Sequence, residues 1–153
     1  MGPLARDARS MIELWRDPAR TALVIVTLAE DLPAREASEL AAQARGPLAI
    51  PLGPLVVNAL ATDALSAPAV DSVLTAWSVQ QRGGSATTGN ARLGATLRMA
   101  AGVRAHREAA ERVLEGLKRD PGLPMITLPR IPTAEIGPAI IAALIPHLAE
   151  QIR

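Results

Sequence analysis

Few residues in this chain combine a type and a setting that could do chemistry, and the first is Asn58. It closes the run Leu55-Val56-Val57-Asn58, an apolar stretch ending on a carboxamide with donors and an acceptor. An amide so placed can pair with the edge of a purine such as adenine, or can cap the turn that follows. Glu30 stands at the corresponding end of the run Leu23-Val24-Ile25-Val26-Thr27-Leu28, where a carboxylate can hold a strand-to-helix turn or face a ligand. The glycines from Gly83 to Gly89 invite a reading as a phosphate cradle. No Lys-Ser or Lys-Thr follows them and no buried strand leads in, so the geometry that aims amides at a phosphate is missing and the segment reads as a flexible loop over about 82–90. His106 and His147 have no carboxylate or histidine at ligand spacing and read as a surface and a helix-end residue, not as metal ligands or general bases. The serines, Ser38 and Ser85 among them, lack the setting of a nucleophile elbow.

The elements that position Asn58 and Glu30 can be read from periodicity. Ala22 to Val26 is a continuous apolar run rich in Val and Ile, the pattern of a strand buried on both faces, and Leu55 to Val57 repeats it. Between them Asp31 is an expected N-cap, Pro33 falls in the first turn, and Leu32, Ala37, Leu40, Ala41 and Ala44 recur at helical steps. This is a strand-helix-strand unit, so the two strands are expected to be parallel with a right-handed crossover. The stretch Gly46 to Pro54, with three prolines and two glycines, cannot be regular helix.

Around that unit, Leu4 to Arg16 spaces Leu4, Ala8, Met11, Ile12 and Trp15 on one face of an amphipathic helix that Asp17-Pro18 ends. Residues 59–69 read as loop, Val70 to Gln81 as a short helix, and Ala91 to Arg119 as a long basic one whose glutamates offset its arginines. Met125 to Leu128 is a third buried strand. Thr133 is an expected cap and Glu135 a first-turn acid of a last helix that carries Ile140, Leu144 and Leu148 and is bent by Pro146. The alternation predicts a single α/β domain over 1–153, a three-layer parallel sheet with helices on both faces. Three strands leave both edges open, so the chain reads as part of a larger sheet. Ligands in such sheets bind beyond the carboxyl ends of the strands, here Thr27–Glu30, Asn58–Leu60 and Leu128–Ile131, which are expected to lie side by side.

Composition narrows the function classes. The 153 residues include two Trp and neither Phe nor Tyr, so Ala, Leu, Ile and Val fill the core alone. Sixteen basic and fifteen acidic residues give a net charge of +1, which speaks against a nucleic-acid partner held by bulk charge. Without cysteine there is neither a disulfide framework nor a thiolate nucleophile. No signal peptide or membrane-spanning run is visible, so the expected location is cytoplasmic and the chain is not expected to be membrane-embedded.

The run from Leu23 through Ala29-Glu30-Asp31-Leu32-Pro33-Ala34-Arg35-Glu36-Ala37, followed by Leu55-Val56-Val57-Asn58, resembles the C-terminal half of the ArsA-type ATPases. These are the arsenite-pump and tail-anchored-protein-targeting branch of the deviant P-loop NTPases. In that family the asparagine ending this strand contacts the nucleotide base, and the loop after the last strand lies against the same base. The resemblance therefore implies a partial P-loop NTPase-like domain that binds ATP, with Asn58, Pro129, Arg130 and Ile131 at the base. Glu135-Ile136-Gly137 is similar to the family's Glu-Val/Ile-x-Gly, with one residue fewer. The family's phosphate loop and switch aspartates have no counterpart here. Lys118 is the sole lysine, so no Gly-Lys-Ser/Thr motif exists in the chain. The resemblance thus implies that phosphates and Mg are held through a segment outside these residues, that the chain alone is inactive, and that it works as a homodimer or with a companion P-loop-containing subunit. A membrane-protein client is also implied. The other expectation is a non-enzymatic interaction or regulatory subunit that pairs with a complete ArsA-like ATPase.

Overall fold

Three parallel strands in the order β1-β2-β3 form the sheet on which this protein is built. The fold is that of a computed structural model describing residues 2–61, 67–81, 88–131 and 137–152. The elements are α1 (Pro3–Arg16), β1 (Leu23–Leu28), α2 (Asp31–Gln43), β2 (Leu52–Leu60), α3 (Ala67–Gln81), α4 (Thr88–Arg119), β3 (Met125–Pro129) and α5 (Pro138–Gln151). Helices flank the sheet, and the class is α/β. The chain divides into two compact units, residues 1–60 with 112–153, and residues 61–111.

In the first unit the core lies on one face of the sheet. Ile25 of β1 with Leu55 and Val57 of β2 meet Ala34, Ala37 and Ala41 of α2, and Leu117 from the last turns of α4 closes the layer. Alanines on the buried stripe of α2 let its backbone approach the sheet closely, which is how a core without Phe or Tyr reaches solid packing. Leu55 and Val57 are the largest fully buried side chains. β2 carries an extra residue between its pairings Leu23↔Leu52 and Ile25↔Leu55. That irregularity accommodates Gly53 and Pro54 in a central strand, where a regular ladder would miss the proline N–H.

The boundaries depart from expectation in instructive places. Asp31 is the first residue of α2 rather than its N-cap. Glu30 holds the N-cap position, makes no side-chain cap, and accepts the Ala34 N–H on its carbonyl at 3.0 Å. Beyond Gln43 the helix widens into a π turn over Ala44–Leu48, and Ala49 ends it in the left-handed conformation at φ 53°. The Ile50 N–H reaches back to the Ala44 carbonyl at 2.8 Å. α4 begins at Thr88, so the last part of the expected loop is helical; residues 82–87 lie outside the described residues. Thr133 and Glu135, the expected cap and first-turn acid, also lie outside them.

β1 corrects a larger expectation. It is not buried on both faces: Ile25 and Thr27 are buried, whereas Val24, Val26 and Leu28 are 47, 62 and 38% exposed. α2 and the end of α4 both contribute to the core on the Ile25 face, and α5 packs against β3 at the far edge. The stripe of α1 is likewise out in solvent, with Leu4, Met11, Ile12 and Trp15 all exposed. α1 is tied at its end instead, by Arg16 Nε donating to the Leu48 carbonyl at 3.0 Å and the Thr21 hydroxyl donating to the Leu14 carbonyl at 2.8 Å.

The second unit comprises α3 and α4 as far as Glu111. Gly94 of α4 lies against the Trp77 ring, close enough that an added Cβ would meet Cζ2 at 3.1 Å. Arg104 bridges Asp71 and Glu108, and Arg107 pairs with Glu111 at 2.9 Å. The Arg104 guanidinium is held above its ordinary pKa, first by its hydrogen bond to Glu108 and then by the charge of Asp71.

Candidate functional site

The sheet brings the three strand ends together. Leu28 of β1 pairs with Asn58 of β2, Leu60 pairs with Pro129 of β3, and the Arg130 N–H donates to the Leu60 carbonyl at 2.8 Å. Asn58 therefore sits at the carboxyl end of the central strand with a neighbour on each side, the position at which open parallel sheets collect ligands.

Its presentation has a local cause. Between Val57 and Leu60 the pairing with β3 shifts register, and Ala59 takes up a left-handed conformation at φ 54°. A bulge of this kind bends a strand and re-aims the side chain beside it. Asn58 is exposed, and its carboxamide makes no hydrogen bond among the described residues, so it is not capping its own turn.

A cavity of about 340 Å³ opens beside it. Asn58 and four consecutive residues of β1, Ile25 to Leu28, line one side; Pro33, Glu36 and Leu40 of α2 line the other. The space lies between β1 and α2, and Asn58 of the central strand also lines it. Its size falls in the lower part of the range of small-molecule sites, about 300 to 1,000 Å³. Thr27, the one buried polar residue of the sheet among those described, turns its hydroxyl to the Leu28 carbonyl at 3.3 Å.

Of the residues expected at a base, the structure gathers Asn58 with the cavity. Pro129 and Ile131 are partly buried and Arg130 is exposed, next to the end of β2; none of the three lines the cavity. Glu30 is exposed at the β1–α2 turn and does not line it either. The contribution of α2 was visible in principle, since Pro33, Glu36, Ala37 and Leu40 follow helical spacing, but periodicity alone names a stripe and not the strand it faces.

A second, broader depression of about 550 Å³ lies between α2 and the last turns of α4. Arg35, Arg112, Asp31 and Asp120 rim it over a floor that includes Ala34 and Leu117. At one side the Ser38 hydroxyl donates to the Asp120 carbonyl at 3.2 Å. On the same stretch of α4, Lys118 contacts Glu115 at 2.5 Å. That hydrogen bond, and then the attraction of the two charges, holds the Glu115 carboxyl below its ordinary pKa.

Among the described residues no three carboxylate or imidazole groups converge as a metal site would require, and no helix is long and apolar enough to cross a membrane. No protein-family model matches this chain, and no curated protein matches it.

Proposed function

We propose that this chain supplies the base-recognition part of an ArsA-like, adenine-nucleotide-dependent ATPase, as a partial P-loop NTPase-like domain within a larger three-layer sheet. The observation that carries the reading is the Asn58 carboxamide near the carboxyl end of the central strand, without a hydrogen-bond partner among the described residues, beside a cavity that Thr27 and Leu28 also line. A carboxamide can donate to and accept from the Watson–Crick edge of adenine at once. The adjoining β3 end, Pro129, Arg130 and Ile131, would lie against the other side of the ring. The chain carries no phosphate loop, so ATP and Mg would be held jointly with a P-loop-bearing segment. Calorimetric titration tests this: ATP is expected to bind, and Asn58→Ala to weaken it about tenfold, the loss of roughly one to two hydrogen bonds. The purified chain is expected to show no turnover, and measurable hydrolysis by it would overturn the division of labour.

A second reading is favoured by the exposed apolar side chains on α1 and α5, Leu4, Met11, Ile141 and Ile145 among them. In it the chain is a non-enzymatic subunit that pairs with a complete ArsA-like ATPase in the cytoplasm, or contacts a membrane-protein client. Asn58→Ala would then leave partner binding untouched, and tight ATP binding by the chain alone would count against it.

A further inference from the structure

The two edges of the sheet are finished differently. At the β3 edge the main-chain groups of Thr127 point outward, and the Gln151 side chain meets both of them at 2.8 and 2.9 Å. Among the described residues the β1 edge has no such cover. The Leu23 N–H bonds to the Pro51 carbonyl, on the β2 side, so alternation turns Leu23, Ile25 and Thr27 inward and directs the N–H and C=O groups of Val24, Val26 and Leu28 out of the sheet. Those same three side chains are the exposed ones. The edge contains no proline, lysine or inward-pointing charge, the devices by which solvent-facing edges ordinarily discourage pairing.

We infer that the open edge of β1, when no P-loop-bearing segment occupies it, pairs, antiparallel, with β1 of a second copy of this chain, joining two three-stranded sheets into one of six strands. Charge selects this occupant and this direction. β1 is uncharged, but Arg20 lies before it and Glu30 and Asp31 after it; all three are exposed and make no ion pair among the described residues. Antiparallel self-pairing sets the Arg20 end of each strand beside the Glu30–Asp31 end of the other, whereas a parallel arrangement stacks like charges. A two-fold axis at Val26 pairs the outward groups of Val24, Val26 and Leu28 with Leu28, Val26 and Val24 of the other copy, so every group on the edge is met. The strands alone bury less than the roughly 1,200 Å² of a stable interface. Leu32 and Leu40, exposed on α2, extend the contact, and the dimer is reversible. Asn58 belongs to the central strand, one strand in from this edge.

Sedimentation velocity of the full chain, without nucleotide, tests the inference apart from the reading of Asn58. The wild type is expected to dimerise reversibly at micromolar concentration, and Val26→Lys to weaken the dimer at least about tenfold with an unchanged circular dichroism spectrum. Arg20→Glu and Glu30→Arg are each expected to weaken it about fivefold, and the double reversal to restore it. These two positions are surface charges, so they answer even if the Val26 variant does not fold. A wild type monomeric throughout, a dimer indifferent to lysine at position 26 in a folded variant, or single reversals that the double does not repair would each overturn it.

Discussion

The carboxamide of Gln151 is fully engaged with Thr127, twenty-four residues away. Its oxygen accepts the Thr127 N–H at 2.8 Å, its nitrogen donates to the Thr127 carbonyl at 2.9 Å, and the second N–H goes to the His147 carbonyl one helical turn back, also at 2.8 Å. A side-chain amide thus occupies the place that a neighbouring strand would take, and its orientation is fixed by the helix that carries it. Gln151→Ala frees both main-chain groups and is expected to destabilise the fold by about 1 to 2 kcal/mol. Gln151→Glu retains the acceptor and opposes the Thr127 carbonyl, and should cost at least as much. Hydrogen exchange at Thr127 checks this locally, and denaturant titration checks it globally.

The core offers a harsher test. Leu55 is fully buried at the junction of α2, the end of α4 and both neighbouring strands. Leu55→Ala is expected to lose about 2 to 5 kcal/mol, a large part of the stability of a small domain. A denaturation midpoint close to wild type would mean the small alanines of α2 collapse into the space.

Two substitutions should stabilise. Ala49 ends the π turn in a left-handed conformation that costs a residue with a Cβ about 1 kcal/mol, so Ala49→Gly recovers much of that. Gly102 stands mid-helix in α4 with no atom near where a Cβ would go, so Gly102→Ala gains roughly 0.5 to 1 kcal/mol in helix propensity. Gly94→Ala is the contrasting control, because there the added carbon must displace the Trp77 ring. Thermal melts of the three variants give the order.

Acid titration has a defined sign at Glu115. Its folded-state pKa lies below the ordinary value, so the stability it contributes is present above the ordinary glutamate range and is lost as pH falls through the lowered folded value. The advantage of wild type over Glu115→Gln is expected to be small, because the pair is exposed to solvent, and to shrink to nothing on acidification. Unfolding midpoints of the two proteins, followed from neutral to acidic pH, measure it.

Much of the fold was legible because the Val- and Ile-rich runs that mark β1, β2 and β3 are short, separate and closed by turn residues. Their parallel pairing follows from the helical crossovers that bridge the gaps, α2 between β1 and β2, and α3 with α4 between β2 and β3. The meeting of the three strand ends, Leu28 beside Asn58 and Leu60 beside Pro129, was legible for the same reason. The state of each face was not. Periodicity says which side of α1 or β1 is apolar; whether anything buries it depends on elements far away in sequence, and Met11, Trp15 and Val26 stay exposed. The seat of Asn58 depends on a left-handed Ala59, a conformation that an alanine does not advertise. The Gln151–Thr127 pairing leaves no local trace either, since a glutamine near the end of a helix is ordinarily a solvated residue.

The placement of the two tryptophans has a practical result. Trp15 is on the exposed stripe of α1 and Trp77 packs on Gly94 within the helical unit, and neither indole is a member of the buried layer between sheet and α2. Intrinsic fluorescence will follow the loosening of α1 and α3 while the sheet melts unseen. An emission trace and a far-ultraviolet trace that part company would then report two separate neighbourhoods, and need not signal a populated folding intermediate.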